Sequence, residues 1–486
     1  MRATNPIVDE NLRPGTSGWR LERPAVAREI EGYASATSVN RGGVILLYVN
    51  TAAPTFTLEI FRMGWYRGLG ARRVFGPIVV PGTDQVMPAT DPATGLADCD
   101  WVNPFELTTA NPDDAADWVA GVYLARLTAA GSGAQSYILF VVRDDHRPAD
   151  LLFQLSVTTY QAYNYWGGKS LYKWGSTGRQ RASKVSFNRP YSANLRNPAA
   201  AYGMGAGEFL TNLQPHPEVY KVSNAGWDYN MLRWLEREGY DLAYSTNLDT
   251  HATPQLLLRH KAWLSVGHDE YWSLEMRRGV EAARDAGVHL GFFSANSAYW
   301  QVRFEPSAVS GAPDRIMVCY KKAKHDPQFA AGAETSCATD KWRSAAVGRP
   351  EEQLIGVMYA GDPVDTDIVI EAAGHWVFAG TGLEPGASLP GLLGYEVDCV
   401  HGRGPAGVEI LAASPWVALT DAAKHGVAHM SLYAASSGAL VFATGSIQWA
   451  WGLDDYNVPA LRTSRLSAAA QQVTRNVLRR FLSPGD

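Results

Sequence analysis

Cysteine is scarce in this chain. Cys99, Cys319, Cys337 and Cys399 are the four cysteines in 486 residues, and no two form a CxxC pair. That excludes a thiolate zinc site and a dithiol redox motif, and such sparse usage fits a reducing compartment. Charge is scarce too, at 19% of residues against roughly 25% in an average globular protein. The 43 basic and 48 acidic residues leave a net charge of −5, without the basic footprint of a nucleic-acid binder. No run of about 18 apolar residues occurs, so a transmembrane helix is not expected. The opening MRATNPIVDENLRPG carries acidic residues and no apolar core, unlike a signal peptide. The expectation is a cytoplasmic protein with no nucleic-acid and no membrane partner.

What the chain has in quantity is apolar and aromatic: 46% hydrophobic residues, 16 Trp and 22 Tyr. Low charge at this length predicts a large buried fraction and a homo-oligomer. Up to about residue 145, short β-branched or alternating runs dominate, including 43–50 (GVILLYVN), 55–62 (TFTLEIFR), 119–128 and 135–143. Separated by Gly- and Pro-rich turns, they predict an N-terminal β-sandwich over 1–145. From 146 to 345 strands alternate with helices: 150–157, helix 228–239, 240–246, 261–267, helix 273–287 and 288–296. This predicts an open, mostly parallel α/β sheet covered on both faces. Residues 346–430 read as a β-rich insertion, and 431–486, with LVFATG and the amphipathic QQVTRNVLRRFL, as a return to the α/β domain.

In an open α/β sheet, ligands bind beyond the carboxyl ends of the strands. Strand 150–157 is followed by TTYQAYNYWGGKSLY, strand 261–267 by His268-Asp269-Glu270-Tyr271-Trp272, and strand 288–296 ends in Ser294-Ala295-Asn296. If these strands are neighbours, His268, Glu270, Asn296 and one or two tyrosines share a pocket. An imidazole, a carboxylate and an amide can shuttle protons and stabilise an oxyanion, as hydrolysis requires. His268 and Glu270 can equally serve as cap and first-turn residue of the following helix. GxSxG, HExxH and GxxxxGK[ST] motifs are all lacking.

The segments 158–172, KVSFNRPYSAN (184–194), 234–249, 260–300 with its GHDEYW, and ATGSIQWAWGLDD (443–455) carry a resemblance. So does EIFRMGWYRGLGARRV (59–74). The chain resembles the large (beta) subunit of N,N-dimethylformamidase and its relatives. The resemblance implies an amidohydrolase cleaving the C–N bond of a small linear amide, with mononuclear Fe(III) held by two tyrosinates and a glutamate. On this sequence the ligands it implies are Glu270, Tyr191 of FNRPY, and Tyr163, with Tyr160 as rival and Tyr165 as a third choice. His268 and Asn296 match polar residues beside the metal, and Lys321 a neighbour. Tyr160, Trp166, Trp272 and Trp300 are expected as pocket aromatics. The resemblance also implies a small partner subunit. Two other readings stay open: the same hydrolase with zinc, and a non-catalytic binder of carbohydrate or aromatic ligands using the tryptophan-rich surface.

Overall fold

The computed structural model describes residues 5–483 apart from 115–116, 216–223 and 333. It is a mixed α/β structure built on several sheets. In the N-terminal part a five-stranded sheet is ordered Ser38–Asn40, Gln135–Arg143, Gly121–Ala129, Thr55–Met63, Ala71–Pro81. It faces a three-stranded sheet of Glu31–Ala34, Val44–Asn50 and Phe105–Thr108. Alternation in Val44–Asn50 explains the pairing: Ile45, Leu47 and Val49 point inward to Leu58, Ile60, Tyr123, Ile138 and Phe140. The strands at 121–129 and 135–143 are buried on both sides, so their runs are almost continuously apolar. Their second face, with Val122, Leu124, Tyr137, Leu139 and Val141, belongs to the α/β core.

The main sheet has seven strands in the order Leu242–Thr246, Leu151–Leu155, Ala262–His268, His289–Ala295, Leu440–Ala443, Asp421–Ala434, Glu409–Ala418. The first five are mutually parallel; the last two pair antiparallel at one edge. Neither face of its centre meets solvent. Phe153, Leu264, Val266, Phe293 and Phe442 pack with Trp234, Leu235, Val477 and Phe481 of helices Asp228–Arg237 and Ala468–Leu482. Leu152, Trp263, Leu290, Phe292 and Val441 pack with Met276, Val280 and Ala283 of helix Leu274–Asp285. Within the stretch expected as an excursion from this sheet, Met358–Val369 and Ser388–Cys399 do form a separate antiparallel hairpin. The strands 409–418 and 421–434, by contrast, extend the main sheet itself. Their long exposed outer ends hide this edge role from the apolar pattern.

A buried ion pair ties the two parts together. Arg62, on strand Thr55–Met63, donates to both carboxylate oxygens of Glu236 on helix Asp228–Arg237, at 3.1 and 2.7 Å, and neither side chain is exposed. Glu236 also accepts from Asn11 at 2.8 Å and from the Tyr244 hydroxyl at 2.6 Å, while Arg62 reaches the Ala120 carbonyl at 2.9 Å. Each added bond offsets desolvation that the pair alone would leave uncompensated. Glu236→Ala strands the guanidinium without a counter-charge and is expected to cost about 3–5 kcal/mol, read as a lower urea midpoint; an unchanged midpoint would contradict this role.

Candidate active site

The first strand of the main sheet, Leu151–Leu155, lies between the second, Leu242–Thr246, and the third, Ala262–His268. The chain therefore leaves neighbouring carboxyl ends in opposite directions, opening a crevice between 151–155 and 262–268. Helix Val157–Tyr163 begins there and carries Tyr163 on its last residue. Strand Ala262–His268 ends on His268 and the turn after it supplies Glu270, while Asn296 follows strand His289–Ala295 in a left-handed conformation (φ 51°), which Asn tolerates better than most residues. Gly267 also has positive φ (64°), and a side chain there would meet the Asp228 carboxylate. Asp269 is spent on architecture, accepting from Asn247 at 2.9 Å and Ser265 at 3.0 Å. The Thr159 hydroxyl accepts from the Glu270 amide at 2.9 Å, fixing the turn against the helix.

Glu270 is the centre. The Tyr172 hydroxyl lies 2.9 and 2.8 Å from its two oxygens, and Trp300 Nε1 donates to Oε1 at 2.8 Å. Tyr271 donates to the Tyr172 oxygen at 2.6 Å. The Tyr163 ring lies 4.3 Å from that of Tyr172 and 5.6 Å from His268. His268 Nε2 is 3.5 Å from Glu270 and 3.7 Å from Glu396, and 3.4 Å from Asn296 Nδ2, which also donates to Glu396. Lys321 Nζ sits 3.4 Å above the Tyr172 ring and 4.8 Å from that of Trp300.

Burial governs the electrostatics. Desolvation, reinforced by the Lys321 cation, pushes His268 down to about 3, so its imidazole is neutral. Its two ring nitrogens each face an amide, Gln214 at 3.3 Å from Nδ1 and Asn296 at 3.4 Å from Nε2. Desolvation lowers Lys321 to about 8, against the pull of Glu270. It raises the phenols of Tyr163 and Tyr172 well above their ordinary value, with Glu270 adding to the effect. Glu396 is likewise held well above the carboxylate range, by burial and then by Asp362 and Glu270.

The structure thus brings together Tyr163, His268, Glu270, Asn296, Lys321 and Trp300, and sets other expected residues apart. Tyr191 packs edge-on against Tyr160 at 6.4 Å, and the charges bearing on it are Arg315, Arg189 and Glu208. Tyr160 donates to Asp228. The Tyr165 hydroxyl goes to the Ala193 carbonyl, and Trp166 Nε1 to Glu31 at 2.8 Å. Trp272 is fully buried, crossing Trp263 at 5.7 Å on the far side of the sheet, because successive strand residues face opposite ways. Sequence reasoning missed Tyr172 and Glu396. Tyr172 ends the quoted 158–172 segment, a signal that was present. Glu396 comes from the hairpin strand Ser388–Cys399, and nothing local marks it.

Among the described residues no three His, Cys, Asp or Glu side chains gather as a metal-ligating group. The donor set here is of another kind: phenol oxygens beside one buried carboxylate. Such hard oxygen donors suit Fe(III), and a cation is what would make phenols so strongly desolvated give up their protons. The residues present therefore fit an iron centre. The four cysteines are free, and no described helix is long and apolar enough to cross a membrane.

Fold and site together define an α/β protein with a closed, oxygen-rich tyrosine–carboxylate–imidazole centre at a sheet switch point. Residues 57–461 match the family described as N,N-dimethylformamidase beta subunit-like, C-terminal, and the chain belongs to that family. No curated protein matches it.

Beside the site, Asp228 is raised to about 7, by burial first, with Asp269 adding and the Tyr160 hydrogen bond opposing. Its Oδ1 has no hydrogen-bond partner among the described residues. A carboxyl raised on folding holds a proton that the unfolded chain has already lost, so its contribution falls as pH rises from about 4 to about 7. The fall is at most about 1.4 kcal/mol per pH unit. Asp228→Asn removes it, so the stability of the variant relative to wild type should increase between pH 5 and pH 7 in urea titrations; a constant difference would refute the assignment.

Proposed function

We propose that the protein is a metal-dependent amidohydrolase that cleaves the C–N bond of a small formamide-type or substituted amide. Its centre comprises Tyr163, Tyr172, Glu270, His268, Asn296 and Glu396. The observation that carries this is the convergence of Tyr172, Trp300 and His268 on one buried carboxylate, Glu270, in a chain of this family. Tyr163, Tyr172 and Glu270 would hold the iron, with Tyr172 in the role first expected of Tyr191. When bound, Fe(III) supplies Lewis acidity for a carbonyl and an acidified water.

The chain's own residues supply the rest. Asn296 Nδ2, beside His268 and Glu396, is placed to donate to a developing oxyanion. Water adds its oxygen to the carbonyl carbon, the C–N bond breaks, and the departing amine takes the proton of a carboxyl that the proton released by water then restores. Glu396 fits that task better than His268. Its carboxyl sits near a second carboxylate and stays protonated, as one of two close carboxyls does, whereas a neutral imidazole is a weak acid. His268 then serves as a neutral wedge between Glu270 and Glu396, 3.5 and 3.7 Å from them. Lys321 over Tyr172 offsets the negative charge of the centre, and Tyr172 and Trp174, both largely but not fully buried, form its outer side. The tryptophan-rich binding surface finds little support, since Trp19, Trp118, Trp227, Trp234, Trp263, Trp272, Trp342, Trp449 and Trp451 are all fully buried. A homo-oligomer or a small partner subunit accords with a family described as a subunit.

The test is metal analysis with absorption spectroscopy and amide turnover. The purified protein is expected to carry iron and a yellow-to-red tyrosinate charge-transfer band. Tyr172→Phe and Glu270→Ala should lose both, and Tyr191→Phe should keep both. Glu396→Gln should keep iron and lose about 10²–10⁴-fold in turnover. Full turnover in an iron-free preparation would overturn the proposal.

A further inference from the structure

A cavity lined by none of the residues around Glu270 lies where the N-terminal sheets, helix Asp228–Arg237 and the loop 454–466 meet. It encloses about 590 Å³, within the range of small-molecule sites, which favour such junctions. The partly exposed rings of Trp65, Tyr202 and Tyr456 line it, and the fully buried Trp19 and Tyr137 back its wall. They are held rigidly. Tyr456 packs on Tyr229 at 4.7 Å, and Trp19 lies 5.8 Å from Tyr229. Arg233 is wedged 4.9 Å from Trp65 and 5.6 Å from Tyr229, its charge met by Asp454 at 2.9 Å.

The remaining charges are unbalanced. Asp455 accepts from Ser464 at 2.6 Å and faces Arg462 at 3.7 Å. Arg20 lies 5.6 Å over Trp19 and makes no ion pair among the described residues. Arg237, 5.6 Å over Trp65, has Glu238 at 3.7 Å, but that carboxylate is gripped by Arg475 at 2.7 and 3.0 Å. Two guanidiniums thus stand above tryptophan faces at the rim of a rigid aromatic slot. Guanidinium pairs with carboxylate through a planar fork, and flat rings stack on flat rings.

We propose that this cavity is a second binding site, separate from the reaction centre, for a planar aromatic carboxylate. The ring enters between the tryptophan and tyrosine walls, and the carboxylate meets Arg20 and Arg237. Calorimetric titration with 2-naphthoate, against neutral 2-naphthylmethanol, tests it. One naphthoate per chain should bind, at least tenfold tighter than the alcohol. The double variant Arg20→Gln/Arg237→Gln, both at solvent-facing positions, should lose that preference while retaining the wild-type melting temperature. Ala460→Trp, which fills the slot, should abolish binding of both compounds. Equal affinity for acid and alcohol, no binding of either, or an unaltered preference in the double variant would overturn the proposal.

Discussion

The site exists because the strand at 151–155 is flanked by the second and third strands of its sheet rather than standing at its edge. A right-handed crossover must lead from it to one side and the next to the other. The carboxyl ends at the switch are then left with no helix across them. Helix Val157–Tyr163, the His268–Glu270 turn and Asn296 all converge on that gap. Every further element near the gap, including Tyr172 and the hairpin strand bearing Glu396, closes it from outside.

Closing it buries charge, and the protein handles buried charge in two different ways. At the junction of sandwich and α/β sheet, Arg62 and Glu236 are matched and their remaining hydrogen-bonding capacity is largely filled. Such a pair acts as a fixed joint. Around Glu270 the balance is incomplete: Lys321 is the ammonium bearing on Glu270 and Glu396, two buried phenols lie beside them, and Asp398 is answered by Arg343. An excess of oxygen donors in a dry site is unfavourable by itself and favours either bound protons or a bound cation. The same arithmetic, with the sign reversed, leaves guanidiniums over the tryptophans of the large cavity.

Much of this was legible in the chain before folding. The alternation of GVILLYVN marks a half-buried strand, and the uninterrupted runs at 151–155 and 262–268 mark strands covered on both faces. Reading the residues beyond those strands reached His268, Glu270 and Asn296. The family resemblance preferred Tyr163 to Tyr160 but did not single out Tyr172. Tyr160 and Tyr163 lie one helical turn apart, yet one hydroxyl goes to Asp228 while the other ring lies against Tyr172. Trp272 follows Tyr271 directly but faces the opposite core.

The sequence by itself therefore determined which strands are buried, where they end, and that any metal must find oxygen or imidazole ligands in a chain so poor in cysteine. Those properties follow from local period and composition. Only the tertiary structure decided that Tyr172 rather than Tyr191 meets Glu270, that Glu396 arrives from a distant hairpin strand, and that the outer strands 409–418 and 421–434 join the main sheet. Such choices depend on where distant segments cross, and the energy that fixes them lies in desolvation and pairing between side chains that share no local pattern.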